Sequence, residues 1–318
     1  MTRTHGGPDA RGPARFDFST NANAAGPCPM ALAAVQAADA SRYPDPGYST
    51  LRAQLAAFHG VAPQRILLAA SGSEFIQRIT AVGARLQPGP VEVPALAYGD
   101  YRAAAQAWGR EVVTDDDPRA TLRWHAEPSS PLGQDAPPPA DPGDRPTVLD
   151  AVYAPLRLQG QGAWTAVQRD QVFVMHSPNK ALGLCGVRGA YVVAPDAAAG
   201  LAWDVAAWCQ ALQAAEASWL LSAQGVAMLQ SWTQEGTQQW LRESLVVLRG
   251  WKAELVELLD QRCFELQPSV TPFFVARPPE GLKAAALRWR GGRSFVDAIE
   301  RQAVRAALLA ASHEGRLD

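Results

Sequence analysis

The sequence lacks several features that would place a protein in a membrane, outside the cell or on a nucleic acid. No apolar run reaches the roughly 20 residues of a membrane-spanning helix, and the N-terminus shows no apolar segment typical of a secretory signal. The four cysteines are far apart and form no CxxC pair, which argues against a disulfide framework or a zinc site. A net charge of -2 leaves no basic surplus for nucleic-acid phosphates. We therefore expect a cytoplasmic protein with no membrane, nucleic-acid or metal partner.

The pattern of apolar segments predicts the fold class. Short apolar stretches predict strands, and helical segments separate several of them; the strands are expected at 66–69, 91–93, 111–114, 147–152, 172–176 and 190–194. This alternation predicts an α/β fold with a mostly parallel sheet.

The chain has 318 residues, enough for about two domains. We expect an N-terminal arm and helix at 1–40 that belong to a small domain, and a large domain at 41–235. Residues 236–318 would complete the small α+β domain, beginning with a long amphipathic helix. The Pro-rich stretch at 134–146 predicts a surface linker without regular structure.

Lysine is scarce, because only Lys180, Lys252 and Lys283 are lysines among the 29 basic residues. Lys180 follows the predicted strand at 172–176 and precedes a glycine-containing turn and Arg188. A lysine at the mouth of a parallel sheet, among small residues, is placed like an active-site group. Desolvation and nearby cations would lower its pKa, as a lysine that binds an aldehyde requires. The alternative is a lysine that caps a helix.

Two further segments supply complementary chemistry. Asp150 stands in an apolar strand, where a carboxylate is costly unless it is paired, and Tyr153 follows three residues later. A protonated pyridine nitrogen would pair with Asp150, although an Asp that caps a helix is the alternative. Ser71-Gly72-Ser73-Glu74 joins a strand to a helix, whose N-terminal N–H groups favour an anion. A lysine, an aspartate and a helix N-terminus are together the groups that bind pyridoxal 5′-phosphate (PLP).

Four motifs carry a resemblance to a known family. SPNKALGLCGVRG at 177–189 resembles SxSKxxGLxGxRxG, and DAVY at 150–153 resembles DEAY. RYPDPGYSTLRAQLA at 42–56 resembles a YPDP segment, and AASGSEFI at 69–76 resembles GxGSxE. The chain thus resembles the fold-type I PLP enzymes of the class I/II aminotransferase group over nearly its whole length. The resemblance implies the type I PLP-dependent transferase fold and PLP as cofactor.

The resemblance also implies roles for individual residues. Lys180 would carry the cofactor aldehyde and shuttle protons, Asp150 would pair with the ring nitrogen, and Tyr98 would stack on the ring. Tyr153 would contact the ring hydroxyl oxygen. Tyr43 would reach the cofactor phosphate in the neighbouring subunit, which implies a homodimer with shared active sites. The residues expected to bind the phosphate within the chain are Gly72, Ser73, Ser177 and Arg188.

The chain departs from the family pattern at several places, among them DAVY, which lacks the glutamate of DEAY. The PNNPTG loop appears as PSSPLG at 128–133, so Ser130 stands where an asparagine usually bonds the ring oxygen. A C-terminal arginine usually binds the substrate carboxylate. SFVDAIERQAVR loosely resembles the family's SFGLPxxxR element and points to Arg305, with Arg293 as the competing candidate. Both arginines are also compatible with solvated helix positions.

Two branches of the family share the YPDP segment and a phosphorylated substrate, namely histidinol-phosphate aminotransferase and L-threonine-O-3-phosphate decarboxylase of cobalamin biosynthesis. His5-Gly6-Gly7, followed by FDFSTNANAAGP at 16–27, resembles the opening of the decarboxylase. We therefore predict decarboxylation of L-threonine O-3-phosphate, with His5, Gly6 and Asn23 near the substrate phosphate. The alternatives are an aminotransferase acting on histidinol phosphate or a related amino acid, an inactive PLP-fold binding protein, and an interaction protein that uses its many tryptophans.

Overall fold

A seven-stranded sheet with helices on both faces forms the centre of the protein in the computed structural model, which describes residues 20–114 and 116–277 together with Pro8 and Pro279. The helices are α1 (Pro29–Ala37), α2 (Ser49–His59), α3 (Gly72–Leu86), α4 (Gly99–Ala107), α5 (Ala166–Arg169), α6 (Val205–Ala214), α7 (Ala223–Trp232) and α8 (Glu235–Asp260). The strands are β1 (Ile66–Ala69), β2 (Val91–Glu92), β3 (Val112–Val113), β4 (Leu122–Ala126), β5 (Thr147–Asp150), β6 (Phe173–His176), β7 (Ala190–Val193), β8 (Glu265–Leu266) and β9 (Ala276–Arg277).

The large sheet has the order β1-β7-β6-β5-β4-β2-β3. Strands β2 to β6 pair in parallel with one another, while β7 runs antiparallel to both β1 and β6. The predicted α/β fold with a mostly parallel sheet is therefore confirmed. Strands β8 and β9 form a separate antiparallel pair.

Two hydrophobic cores cover the two faces of the sheet. In β1, Ile66 and Leu68 belong to one core and Leu67 and Ala69 to the other, because successive side chains of a strand point to opposite faces. Residues of α1, α2, α7 and α8 complete the first core, and residues of α3, α4 and α6 complete the second. Burial on both faces explains why these strands read as nearly continuous apolar runs.

Strand β4 is an element that the sequence pattern did not predict. Its sequence includes Arg123 and His125, which interrupt the apolar character expected of a buried strand. Arg123 is nevertheless buried, because its guanidinium pairs with Glu92 at 3.1 Å and with Asp144 at 3.0 Å. The linker expected at 134–146 contains no helix or strand.

The C-terminal part of the described chain has a small core of its own. Leu255 and Leu259 of α8 pack against Phe274, close to the β8–β9 pair. The division of the chain at residues 40 and 235 stays a prediction. Over the described ranges, no helix combines the length and apolar character needed to cross a membrane.

Candidate active site

The candidate site lies at the carboxyl ends of β5 and β6, which are neighbouring parallel strands. Asp150 is the last residue of β5, and Lys180 follows the end of β6 by four residues. Since the carboxyl ends of parallel strands meet at one edge of the sheet, the topology brings these two residues together. The N-terminus of α3 begins at the same edge, where the Gly72 backbone lies next to Met175 of β6.

Lys180 makes its closest side-chain contact with Tyr153. The Lys180 ammonium donates to the Tyr153 hydroxyl oxygen at 2.6 Å and lies 4.4 Å from the centre of that ring. Burial lowers the pKa of Lys180, but the Tyr153 oxygen and the Asp150 charge outweigh it, so the pKa is raised above its ordinary value. The expectation of a lowered pKa was wrong, because the neighbours are phenols and a carboxylate rather than cations.

The Asp150 carboxylate is held by two hydrogen bonds. The Tyr101 hydroxyl donates to Oδ2 at 2.5 Å, and the backbone N–H of Val152 donates to Oδ1 at 3.0 Å. Burial raises the pKa of Asp150, while the Tyr101 and Val152 hydrogen bonds and the Lys180 charge act in the opposite direction. A buried carboxylate of this kind favours a cationic partner, which would stabilise its ionised form.

The beginning of α3 has the features of an anion site. The Ser71 hydroxyl accepts the N–H of Glu74 at 3.0 Å. The N–H groups of Gly72 and Ser73 lie outside the helical hydrogen-bond ladder, because they belong to the first turn of α3. The Ser73 hydroxyl lies 3.2 Å from the Tyr98 hydroxyl, which links this helix end to the start of α4. Burial raises the pKa of Tyr98, which therefore stays a neutral phenol.

The segment between β8 and β9 supports Tyr153 through an aromatic contact. The Phe273 ring meets the Tyr153 ring edge to face with centres 4.6 Å apart. The backbone of Gly133 has φ +67°, and a Cβ there would lie 2.3 Å from the Thr271 hydroxyl oxygen, so this turn requires glycine. Ser130 lies in the same turn, which follows β4 beside β5. The PSSPLG segment thus adjoins the loop that carries Phe273, and a contact of Ser130 with the cofactor stays a prediction.

Arg188 and Tyr43 line the same pocket. Both line a pocket of about 520 Å³, and Lys180 is not among the described residues that line it. Tyr43 is 77% exposed and stacks on Trp219 with ring centres 4.4 Å apart. Ser177 lies between β6 and Lys180, where its hydroxyl donates to Asn179 Oδ1 at 3.0 Å.

Asn23 touches the lysine turn but uses its side chain for protein contacts. Its Nδ2 donates to the Ala181 carbonyl oxygen at 3.0 Å and to Ser244 Oγ at 2.8 Å, and its Oδ1 accepts the N–H of Ala25 at 3.0 Å. Only 3% of the residue is exposed. The side chain that the sequence assigned to the substrate pocket is thus taken up by the protein itself. His5, Gly6 and Arg305 lie outside the described residues.

Tyr101 is the site residue that the sequence analysis missed. It stands three residues after Tyr98, so that both tyrosines occupy the first turn of α4 and its N-cap. This spacing is the signal that could have found it, because residues three apart on a helix lie on one face. A buried tyrosine needs a partner for its hydroxyl, and Asp150 is that partner.

The residues that the structure gathers fit PLP. Lys180 can bind the aldehyde, Asp150 can pair with the ring nitrogen, and the free N–H groups at the start of α3 can bind the phosphate. The fold and this donor set define a PLP-dependent enzyme of the type I transferase fold. The chain belongs to the aminotransferase class I and II family, whose model matches residues 14–304.

The known proteins similar to this chain include members of two branches of the family. A histidinol-phosphate aminotransferase from Ruegeria pomeroyi is 31% identical over 205 residues. The match covers 56% of this chain and 56% of that enzyme, so it spans just over half of each. A histidinol-phosphate aminotransferase from Hyphomonas neptunium is 28% identical over 302 residues, covering 85% of this chain and 77% of that one. The crystal structure of L-threonine-O-3-phosphate decarboxylase from Porphyromonas gingivalis has a TM-score of 0.74 at 17% identity, over 93% of this chain and 98% of that one.

Proposed function

We propose that this enzyme decarboxylates L-threonine O-3-phosphate to (R)-1-aminopropan-2-ol O-phosphate, a step of cobalamin biosynthesis. The observation that carries the proposal is the position of residues 23–28 against the lysine turn. The N–H of Asn23 donates to the Lys180 carbonyl oxygen at 2.9 Å, and the N–H of Cys28 donates to the Leu182 carbonyl oxygen at 2.8 Å. The segment whose sequence resembles the decarboxylase branch therefore adjoins the lysine.

Asn21 is the side chain of this segment that we assign to the ligand. Its Oδ1 is buried and has no hydrogen-bond partner within the described part of the chain. Because an unpaired buried oxygen is costly, this atom is suited to accept a hydrogen bond from a bound substrate. We retain His5, Gly6 and Arg305 as further substrate contacts on the strength of the motif resemblance.

The site residues divide the work of the reaction. When bound, PLP supplies a protonated pyridine ring that accepts the electron pair of the bond broken at the substrate Cα. Asp150 would hold the ring nitrogen and favour its protonated form. Lys180 would bind the aldehyde and move a proton during the reaction, while the Tyr153 hydroxyl fixes the position of the Lys180 amine.

The outcome would depend on which bond of the substrate Cα the site presents for cleavage. In decarboxylation the bond to the carboxylate breaks, CO2 leaves, and Lys180 delivers one proton to Cα. In transamination the bond to hydrogen breaks and Lys180 removes that proton. The groups that bind the substrate phosphate and carboxylate select between the two, which is why the N-terminal segment matters for this proposal.

Transamination of histidinol phosphate is the second candidate. The observation in its favour is the sequence similarity to histidinol-phosphate aminotransferases. The match to the Hyphomonas neptunium enzyme covers 85% of this chain at 28% identity. Asp150, Lys180 and Tyr153 would serve the same roles in both reactions.

We also propose a homodimer in which Tyr43 of each subunit contributes to the other subunit's site. An exposed aromatic pair, Tyr43 with Trp219, stands next to Arg188 on the wall of one pocket. Aromatic residues and arginine are enriched at the centres of protein interfaces. Arg188 would then bind the cofactor phosphate together with the neighbouring subunit's tyrosine.

Product analysis by NMR tests the proposed reaction. PLP-loaded enzyme is given L-threonine O-phosphate without any keto acid, and Lys180→Ala serves as the control for uncatalysed loss. Stoichiometric CO2 and aminopropanol phosphate are expected. If threonine phosphate persists while histidinol phosphate and 2-oxoglutarate react, the enzyme is an aminotransferase and the decarboxylase proposal is wrong.

A further inference from the structure

Tyr101 contacts two residues of the candidate site, Asp150 and Tyr98. Its hydroxyl donates to Asp150 Oδ2 at 2.5 Å, and its ring meets the Tyr98 ring edge to face with centres 5.8 Å apart. The other side of the Tyr101 ring stacks on Trp124 of β4, with centres 4.4 Å apart and planes 10° from parallel. We propose that Tyr101 is a positioning residue: its hydroxyl fixes the orientation and the charge of Asp150, and its ring fixes Tyr98.

The hydrogen bond has a defined direction. Tyr101 is fully buried, and burial together with the neighbouring Asp150 charge holds the pKa of its phenol well above the ordinary value. The phenol therefore keeps its proton and can only donate to the carboxylate. A donor to an ionised carboxylate stabilises the ionised form, which is the form that pairs with a protonated ring nitrogen.

Few other groups can take over this role, because the strands beside Asp150 are apolar at the same level. The register places Ala126 of β4 and Met175 of β6 next to Asp150. His125 and His176 are one residue away on these strands and so point to the opposite face of the sheet.

The titratable groups that face Asp150 are few. Among the described residues, those that act on the Asp150 charge are Tyr101 from the start of α4 and Lys180 from the turn after β6. Tyr98 and Tyr153 act in turn on Tyr101 and Lys180. Only Tyr101 and the Val152 N–H donate hydrogen bonds to the carboxylate among the described residues. Removing the Tyr101 hydroxyl thus leaves Oδ2 buried without its side-chain donor.

The test compares Tyr101→Phe with Tyr191→Phe, which removes the same atom from a second fully buried tyrosine outside the site. The dissociation constant of PLP is measured by equilibrium dialysis between pH 5 and pH 9. Tyr101→Phe is expected to weaken PLP binding about 10- to 100-fold, as for the loss of a hydrogen bond to a charged group. The acid side of its binding curve should move to higher pH, because Asp150 then protonates more readily. Tyr191→Phe should leave both the affinity and the curve unchanged.

A second experiment changes the acidity of the phenol at position 101 without removing any of its contacts. Site-specific 3-fluorotyrosine at position 101 is a more acidic phenol and a stronger donor, so its binding curve should move to lower pH. The proposal is overturned if Tyr101→Phe and Tyr191→Phe change PLP binding equally, or if neither Tyr101 replacement moves the pH dependence. Either result would make Tyr101 a core tyrosine without influence on Asp150.

Discussion

Two clusters of polar groups adjoin strand β6, and they use their hydrogen bonds in opposite ways. His176, the last residue of β6, belongs to a cluster between α2 and α7, whereas Lys180 lies four residues further along in the candidate active site. In the histidine cluster, Trp232 Nε1 donates to the Tyr191 hydroxyl at 3.0 Å, and that hydroxyl lies 2.9 Å from His59 Nε2. The His176 ring stacks on Tyr191 with centres 5.0 Å apart.

The histidine cluster is neutral. Burial, assisted by the charge of Arg169, lowers the pKa of His59 to about 4, and burial lowers the pKa of His176 well below its ordinary value. Because Tyr191 accepts from Trp232, its own proton is available to the unprotonated His59 nitrogen. These contacts satisfy the Tyr191 hydroxyl together with His59 Nε2 and Trp232 Nε1 within the fold. The His176 ring packs against Tyr191 and His59.

The lysine cluster brings groups of opposite charge type together and leaves donors free. The Asp150 carboxyl and the Lys180 ammonium act on each other electrostatically, and the first N–H groups of α3 lie outside the helical ladder. Buried charged groups and unpaired donors of this kind are costly in free energy, and a ligand that pairs with them removes that cost. The number of buried polar groups therefore does not identify a binding site, whereas the number of groups still able to accept a partner does.

The strongest test of this comparison is the removal of Lys180. Lys180→Ala is expected to lower kcat about 10³-fold or more, because the variant loses both the aldehyde-binding group and the proton carrier. Borohydride reduction of the PLP-loaded wild type, followed by peptide mass spectrometry, should find the cofactor on the peptide that contains Lys180.

Lys252 is the matched control for that experiment. Burial lowers the pKa of Lys252 to about 8, and its ammonium donates to the Ser269 and Thr271 carbonyl oxygens at 2.5 and 2.7 Å. It therefore has the lowered pKa expected of a lysine that binds an aldehyde, but it is placed as a structural contact. Lys252→Met should retain most of the turnover. Cofactor attached to Lys252 instead of Lys180 would contradict the site.

A smaller effect is expected where the N-terminal segment holds the lysine turn. Asn23→Ala removes two donors and an acceptor that bind Ala181, Ser244 and Ala25, so we expect a loss of about 2–3 kcal/mol in the free energy of unfolding. Urea unfolding of Asn23→Ala, Ser244→Ala and the double variant should give a coupling energy of about 1 kcal/mol.

Ser231→Ala supplies the control for the Asn23 cycle. Ser231 Oγ lies 3.0 Å from Thr237 Oγ1, in a buried pair away from the lysine turn. Its effect should add to that of Asn23→Ala without coupling. Additive effects of Asn23→Ala and Ser244→Ala as well would show that the contact between them does not stabilise the fold.

The sequence predicted most of the sheet because the signals were local. The strand expected at 66–69 has the bounds of β1, and those at 172–176 and 190–194 differ from β6 and β7 by one residue. Strand β4 escaped because the burial of Arg123 depends on Glu92 and Asp144, which are distant in the sequence. No local pattern shows that an arginine will find two carboxylates after folding.

The same limit applies to the candidate site. Lys180 and Asp150 were predicted from their positions after and within apolar strands, and the parallel pairing of β5 and β6 places both at one edge of the sheet. The roles of Tyr101 and Asn23 depend on contacts with residues 49 and 221 positions away. The direction of the Lys180 pKa shift depends likewise on which groups folding brings nearby.

The histidine cluster should give a smaller effect, namely a change in the pH dependence of the free energy of unfolding. Histidines in the unfolded chain bind protons below about pH 6.5. In the folded protein, burial lowers the pKa of His176 well below its ordinary value. Stability is therefore fully present above pH 6.5 and falls as the pH drops towards the folded-state pKa. Between pH 7 and pH 5 one such histidine lowers the free energy of unfolding by at most about 2 kcal/mol.

His176→Phe should make the pH dependence shallower by that amount, because it removes one proton that only the unfolded chain binds. Urea unfolding at pH 7 and pH 5 measures the difference. Phe173→Leu, in the same strand, is the control: it should lower stability at both pH values equally, since no proton is involved. An unchanged slope in His176→Phe would mean that His176 is already protonated in the folded protein, and the contrast between a neutral and a charged cluster would fail.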